Sequence, residues 1–411
     1  MPTAITSKMR VPVPDDTAGR EPLLDLLLAS AAAAYCPKRT ARVRALLAAG
    51  GTDWDRWTAL ARREGLAPLV SMSLADTAPD LVPTQVREEL RREWFASSTQ
   101  CLALAAELIR ALADLRHTGI AAVALKGPAL SAQLYGSCTL RQYDDLDLLV
   151  SRRHWARAIQ VFFSAGYRPV EHLGRSPGHE LRLHNPDTGA ILDLHRLLMP
   201  PWCGSPCAIE DLEGRTEEVL VCETPVETLE PSELLVFLCV HAAKHSWMGL
   251  KWLVDIDALL CRPQGLDWDY ALREAIRRHC RRRLLVSLVL VREIFGAPVP
   301  DRVSQAAAAD AAVMALADEV RHRLPAAFHS VERIRLQMSV QDRWRDRLRV
   351  LQELFAVAGS VTEADRQSLP LPAPIYSLHS LTRPFRLLWR YGPQLARQMT
   401  LRSFPLLRPR P

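Results

Sequence analysis

Apolar residues recur at three- and four-residue steps through LLDLLLASAAAAY, RVRALLAAG, DWDRWTALARREGLAPLVSMSL and VREELRREWFASSTQCLALAAELIRALADLRHTG. This is the period of helices that bury one face, and it predicts a helical region over residues 21–117 that stops at the glycine of HTGI. The period then shortens. AAVALKG is a short apolar run closed by Gly127, PALSAQLYG opens on a proline suited to a first helical turn, DDLDLLV alternates, and SRRHWARAIQVFFSAGY is an amphipathic helix ended by Gly166. ELRLHN and AILDLHRLL, separated by the turn-forming PDTG, predict a hairpin, and EEVLVCE a further strand. Residues 118–225 therefore read as a compact unit of strands and helices. Helical periodicity returns from SELLVFLCVHAAKHSW through RDRLRVLQELFAVAG, giving a second helical region over 226–360. The fold class is α+β: a mixed sheet with helices, flanked by N- and C-terminal helical regions.

The two ends read differently. Residues 1–20 are rich in Pro, Thr and Asp, the composition of a disordered leader, and 361–411 form a basic tail broken by prolines. Eight arginines and no acid follow Asp365; subtracting their charges from the chain's +6 leaves residues 1–365 at −2. A near-neutral body lacks the basic face that nucleic-acid binding requires, so no specific nucleic-acid binding is expected. The tail, with Trp and Phe among its arginines, suits an acidic partner or membrane surface. No apolar h-region opens the chain and its apolar runs are short or broken by charge, so neither a signal peptide nor a transmembrane segment is expected, and the location expected is cytoplasmic. The nine cysteines are scattered, as in reduced proteins; Cys203 and Cys207 form a lone CxxxC, a weak zinc signal without a second pair.

Candidate chemistry concentrates in the central unit. On a strand, Asp145 and Asp147 leave the same face with Cα atoms roughly 6.5 Å apart, close enough for their carboxylates to converge on a divalent ion. Asp193, between Leu192 and Leu194, is an acid that costs free energy in mid-strand unless something pairs with it. Its strand is expected to lie beside DDLDLLV. Oxygen ligands of this kind suit Mg²⁺ or Mn²⁺. Strand AAVAL runs into Lys126 and Gly127 and then a helix, so free N–H groups and the helix dipole meet the strand end, a phosphate-binding arrangement to which Lys126 and Arg141 add charge.

The order LKG, helix, LYG, Arg141, D-L-D-L-L-V, a helix ending in GY, and an LDLH strand resembles the bacterial uncharacterised nucleotidyltransferase family of the DNA polymerase β-like superfamily. The resemblance runs over roughly residues 100–265, through PSELLVFLCVHAAKHSWMGLKWLVDIDALL. It implies a polymerase β-like nucleotidyltransferase core. It also implies Gly127 at the nucleotide phosphates, Asp145 and Asp147 as metal ligands, and Asp193 as third carboxylate and base. Pro128 follows Gly127 where the superfamily pattern has Gly or Ser. The implied activity is Mg²⁺-dependent transfer of an NMP from an NTP, ATP foremost, to a hydroxyl of a small molecule, sugar or peptide, as in peptide natural-product biosynthesis. The other readings are a non-catalytic nucleotide- or peptide-binding scaffold on the same fold and glycosyl transfer from a nucleotide sugar.

Further polar positions have helical spacing. His241, Lys244 and His245 share one helix face and read as lining for the nucleotide or acceptor, or as ordinary helix packing. His195, two residues past Asp193 on the same strand face, reads as a support for the carboxylates or a buried imidazole. Asp255 and Asp257 imitate the D-x-D spelling, but on a helix positions i and i+2 diverge, which discounts them as a metal pair.

Overall fold

The computed structural model describes residues 20–170, 179–262, 265–326, 328 and 330–359. The expected leader, apart from residue 20, and the expected basic tail at 361–411 lie outside the described residues.

The first section holds five helices: α1 (Arg20–Ala33), α2 (Thr40–Ala48), α3 (Trp54–Arg63), α4 (Ala67–Thr77) and α5 (Thr84–His117). Local chemistry sets their starts; Asp53, for instance, accepts the Arg56 N–H at 3.1 Å and caps α3. The central elements are β1 (Ala122–Ala124), α6 (Gly127–Tyr135), β2 (Leu146–Val150), α7 (Trp155–Ser164), β3 (Arg168–Pro169), β4 (Glu180–His184), β5 (Ile191–His195), β6 (Thr216–Val221) and β7 (Thr224–Leu229). Among the described residues eight helices follow: α8 (Pro231–Lys244), α9 (Leu250–Leu260), α10 (Trp268–Arg277), α11 (Arg281–Phe295), α12 (Asp301–Ala308), α13 (Ala311–Arg323), α14 (Ser330–Ser339) and α15 (Trp344–Gly359). None of the described helices is long and apolar enough to cross a membrane.

The strands form one mixed sheet in the order β3-β4-β5-β2-β1-β7-β6. β2 pairs in parallel with β5, and β1 in parallel with β7, while the other neighbours run antiparallel. The α+β class with a mixed sheet is the one the periodicity implies. Two strands escape sequence reading. β3 is only two exposed residues long, and β7 carries Pro225, a residue that argues against a strand because it donates no ladder hydrogen bond. Cys222 and Glu223, both at positive φ, form the two-residue turn joining β6 to β7, so the strand read in EEVLVCE ends at Val221.

Both faces of the central strands are covered, which is why every residue of β2 is buried. Leu146, Leu148, Val150, Leu192 and Leu194 pack with Leu108, Leu115 and Phe162 of α5 and α7 in one apolar cluster. On the opposite face Leu149, Val123 and Leu125 join a larger cluster that unites Leu27 and Val70 of the front helices with Leu235, Val254 and Leu285 of the rear ones. The helices before and after the sheet in sequence thus share one core in space. Polar ties reinforce that seam: Tyr35 donates to Asp257 at 2.6 Å, Arg39 pairs with the same carboxylate, and Glu64 accepts the Leu250 N–H at 3.0 Å at the start of α9.

Candidate active site

Strand register builds the site. β2 and β5 pair with Asp147 opposite Asp193, and β4 pairs with β5 so that Arg182 faces Asp193 and Glu180 faces His195. Because alternate residues share a face, one side of the sheet carries Arg182 and Glu180, then Asp193 and His195, then Asp147. Asp145 sits in the bend just before β2 and faces the same cavity. Lys126 is added from the neighbouring strand: the Leu125 N–H donates to the Asp147 carbonyl at 3.0 Å, which carries β1 one residue further and sets Lys126 beside Asp147.

A cavity of about 250 Å³ opens over this face. Asp145, Asp147 and Asp193 line it with Lys126, Gly127, Arg141, His241, Lys244 and His245, so the residues expected at the metal, nucleotide and acceptor meet there. Gly127, the first residue of α6, has φ +61°, and a Cβ there would lie 3.4 Å from the Asp145 carbonyl oxygen. The left-handed backbone, more than the space, requires glycine at this position. Pro128 occupies the first turn, where the missing N–H costs nothing.

The carboxylates are each met by a cation of the chain. Lys126 Nζ lies 2.9 Å and His195 Nε2 3.1 Å from Asp147 Oδ1. Burial alone would raise the Asp147 carboxyl, but Lys126 and His195 together hold it below the usual range. Its other oxygen, Oδ2, is buried and has no hydrogen-bond partner among the described residues. Arg182 donates from Nε to Asp193 Oδ1 at 2.7 Å, and from Nη2 to Asp193 Oδ2 at 2.6 Å and Asp145 Oδ2 at 3.0 Å. Asp145 is raised, first by burial and then by the neighbouring charge of Asp147. Among the described residues no group of three or more His, Cys, Asp or Glu side chains is drawn together as a metal-bound set would be; at this site Arg182, Lys126 and His195 stand between the acids.

Arg141, expected to add charge at the phosphates, lines the cavity and is also held by an acid of α9. It is 6% exposed, and its Nε donates to both oxygens of Asp255, at 3.1 and 3.0 Å. Tyr135 donates to the same carboxylate at 2.8 Å. Asp255, discounted as half of a metal pair, is the anchor of this arginine, while Asp257 turns away to Tyr35 and Arg39. The cation left over is Lys251, at the start of α9. It lines the cavity, forms no ion pair among the described residues, and reaches only the Gln142 carbonyl at 3.5 Å. Burial and then the nearby Arg141 charge lower its pKa.

The wall opposite the carboxylates is aromatic. His245 stacks on Trp252 with ring centres 4.6 Å apart, and His241 meets the Trp252 ring edge-on at 5.6 Å and stacks on Phe237 at 6.0 Å. Burial, followed by the repulsion of Lys126, pushes His241 well below the ordinary imidazole range, so it is neutral near pH 7. Lys244 stands 4.0 Å from Glu180. Cys203 and Cys207, the pair considered for zinc, are buried in the core, where burial pushes the Cys207 thiol up to about 12. Arg182, Glu180, Lys251 and Trp252 were not legible as site residues. For Arg182 and Glu180 a signal existed, since the alternation of ELRLH across the PDTG turn puts both on the face of Asp193. For Lys251 and Trp252 only the packing of α8 and α9 over the sheet brings them in.

No curated protein matches the chain. Among solved structures, the lincosamide antibiotic adenylyltransferase LnuA with lincomycin bound is 18% identical over 38% of this chain and 96% of its own, with a TM-score of 0.30. ANT(2")-Ia in complex with adenylyl-2"-tobramycin is 18% identical over 42% of this chain and 97% of its own, at 0.33. An antigenic nucleotidyltransferase-like protein from Paracoccidioides brasiliensis is 15% identical over 46% and 91%, at 0.24. The family model described as uncharacterised nucleotidyltransferase matches residues 50–296, from the front helices through the sheet and the cavity to the end of α11. With more than half of its length under that match, the chain belongs to the uncharacterised nucleotidyltransferase family.

Proposed function

We propose that this nucleotidyltransferase moves a nucleoside monophosphate from an NTP, ATP foremost, to a hydroxyl of a small molecule, sugar or peptide, with a divalent cation at Asp145, Asp147 and Asp193. The observation that carries the reading is the in-register placement of Asp147 and Asp193 on adjacent strands, with Asp147 Oδ2 buried and unpartnered among the described residues. A carboxylate oxygen only accepts, and burying one without a donor is costly, so a cation directed at it removes that cost. The oxygen-only donor set fits Mg²⁺ or Mn²⁺. When bound, such an ion supplies Lewis-acid stabilisation of the phosphate oxygens.

The chain's own residues do the rest. Gly127 lets the first N–H groups of α6 approach the phosphates, and Lys126 and Lys251 supply positive charge, Lys251 forming no ion pair among the described residues. Arg141, fixed by Asp255, holds the loop that leads into Asp145. The acceptor oxygen bonds to the α-phosphorus as the bond from that phosphorus to the bridging oxygen of the β-phosphate breaks. Pyrophosphate leaves, and Asp193 takes the hydroxyl proton. His241, His245 and Trp252 form the opposite wall and orient the acceptor or the base by ring contact.

The test is calorimetric titration of ATP, GTP, CTP and UTP with and without Mg²⁺ into the wild type and an Asp145→Ala/Asp147→Ala double variant. Mg²⁺-dependent binding of one nucleotide, lost in the variant, is the expected result. Equal binding by both proteins, or none by either, overturns the mechanism.

A further inference from the structure

One side chain occupies the position that a shared ligand would need. Arg182 Nη2 lies within bonding distance of Asp193 Oδ2, at 2.6 Å, and Asp145 Oδ2, at 3.0 Å. Nε of the same guanidinium takes the other Asp193 oxygen at 2.7 Å. Sheet pairing fixes this placement, because Arg182 sits directly across β4–β5 from Asp193, which itself sits across β5–β2 from Asp147. Without the arginine, two carboxylates would face each other across a few ångströms with nothing between them. The Arg182 side chain is 27% exposed against 7% for Asp193, so the guanidinium can leave toward the cavity mouth while the carboxylate stays seated in the sheet.

We infer that Arg182 is a displaceable latch, which holds Asp145 and Asp193 together in the ion-free protein and must leave both before a divalent cation binds them. The inference rests on the metal-holding role proposed above for the three aspartates. A hard divalent ion approaches carboxylate oxygens to roughly 2.0–2.2 Å and needs the lone pairs that Arg182 now uses. Metal and guanidinium therefore compete for the same atoms. Once displaced, the guanidinium keeps its charge at the cavity mouth, where nucleotide phosphates offer it new acceptors. Cation and NTP then enter together, and the cation alone binds weakly.

The test measures binding of Mn²⁺ alone, by calorimetry and by the electron paramagnetic resonance of free Mn²⁺, with circular dichroism confirming that each variant is folded. Charge-assisted hydrogen bonds at this strength imply that Arg182→Gln binds Mn²⁺ about tenfold or more tightly than the wild type. An Arg182→Gln/Asp193→Asn double variant is expected to lose that gain. Should Arg182→Gln fail to fold, Arg182→Lys keeps the charge without the fork and is expected to tighten binding by less. Mn²⁺ affinity equal to or below that of the wild type in the folded single variant overturns the latch and leaves the metal role standing. Absence of Mn²⁺ binding by every protein, with ATP present as well as absent, overturns the metal role and the latch with it.

Discussion

Asp255→Ala isolates Arg141, the arginine expected at the phosphates, which the structure pairs with Asp255 at the edge of the cavity. Arg141 and Asp255 are 6% and 1% exposed, and the guanidinium Nε donates to both carboxylate oxygens at 3.0–3.1 Å. Removing the acid leaves Arg141 charged in a site that has taken it out of water, and breaking one side of a buried pair costs about 3–5 kcal/mol. Tyr135 loses its acceptor in the same step, adding about 1 kcal/mol. Urea unfolding followed by tryptophan fluorescence reads the loss as a lower midpoint at constant slope. Replacing both partners with apolar residues, as in Arg141→Met/Asp255→Leu, is expected to restore most of the stability, because no charge remains buried. The double variant should also retain NTP binding if, as proposed, Gly127, Lys126 and Lys251 meet the phosphates. A loss below about 1 kcal/mol in Asp255→Ala would refute the reasoning. It would mean that Arg141 finds another acceptor readily and is free to serve a phosphate.

Asp147→Asn keeps the shape of the side chain but removes its charge, and is expected to lower nucleotidyl transfer by more than about 100-fold, read by release of pyrophosphate. Gly127→Ala forces a β-carbon onto a backbone with φ +61°, so a stability loss of about 1 kcal/mol and weaker NTP binding are expected in thermal and calorimetric titrations. Glu180 is held below its ordinary pKa of 4.5: burial would raise it, but His179, Lys244 and His195 outweigh that. A carboxyl with a depressed folded-state pKa contributes stability that is full above the unfolded value and lost as pH falls below it. The wild type should thus lose stability between about pH 5 and 3 more steeply than Glu180→Gln, as followed by denaturation midpoints across that range. Trp252→Ala removes the stacking partner of His245 and is expected to raise KM for the acceptor or NTP with the metal affinity unchanged, separating the aromatic wall from the carboxylate face.

The face proposed to carry the chemistry was legible because strand alternation is a local rule. Asp145-Leu146-Asp147 and Leu192-Asp193-Leu194 announce which side chains share a side before any partner strand is known. Gly127 at the end of an apolar run likewise announces a tight entry into a helix. The cationic complement was less legible, because lysine and arginine side chains reach several ångströms and choose partners across the fold. Arg141 lies close in sequence to Asp145 yet pairs with Asp255 on α9, while Asp145 takes Arg182 from β4.

The sequence by itself determined most of the elements, the α+β class and the row of acids, all of which follow from periodicities of a few residues and the backbone preferences of glycine and proline. Only the tertiary structure decided that Asp193 stands in register with Asp147, that front and rear helices close into one core, and that α8 and α9 bring Lys251 and Trp252 over the sheet. Those outcomes depend on which strands and apolar faces, far apart in sequence, find each other. Long-range pairing of that kind is set by the burial of whole surfaces and leaves no signature in any short stretch of chain.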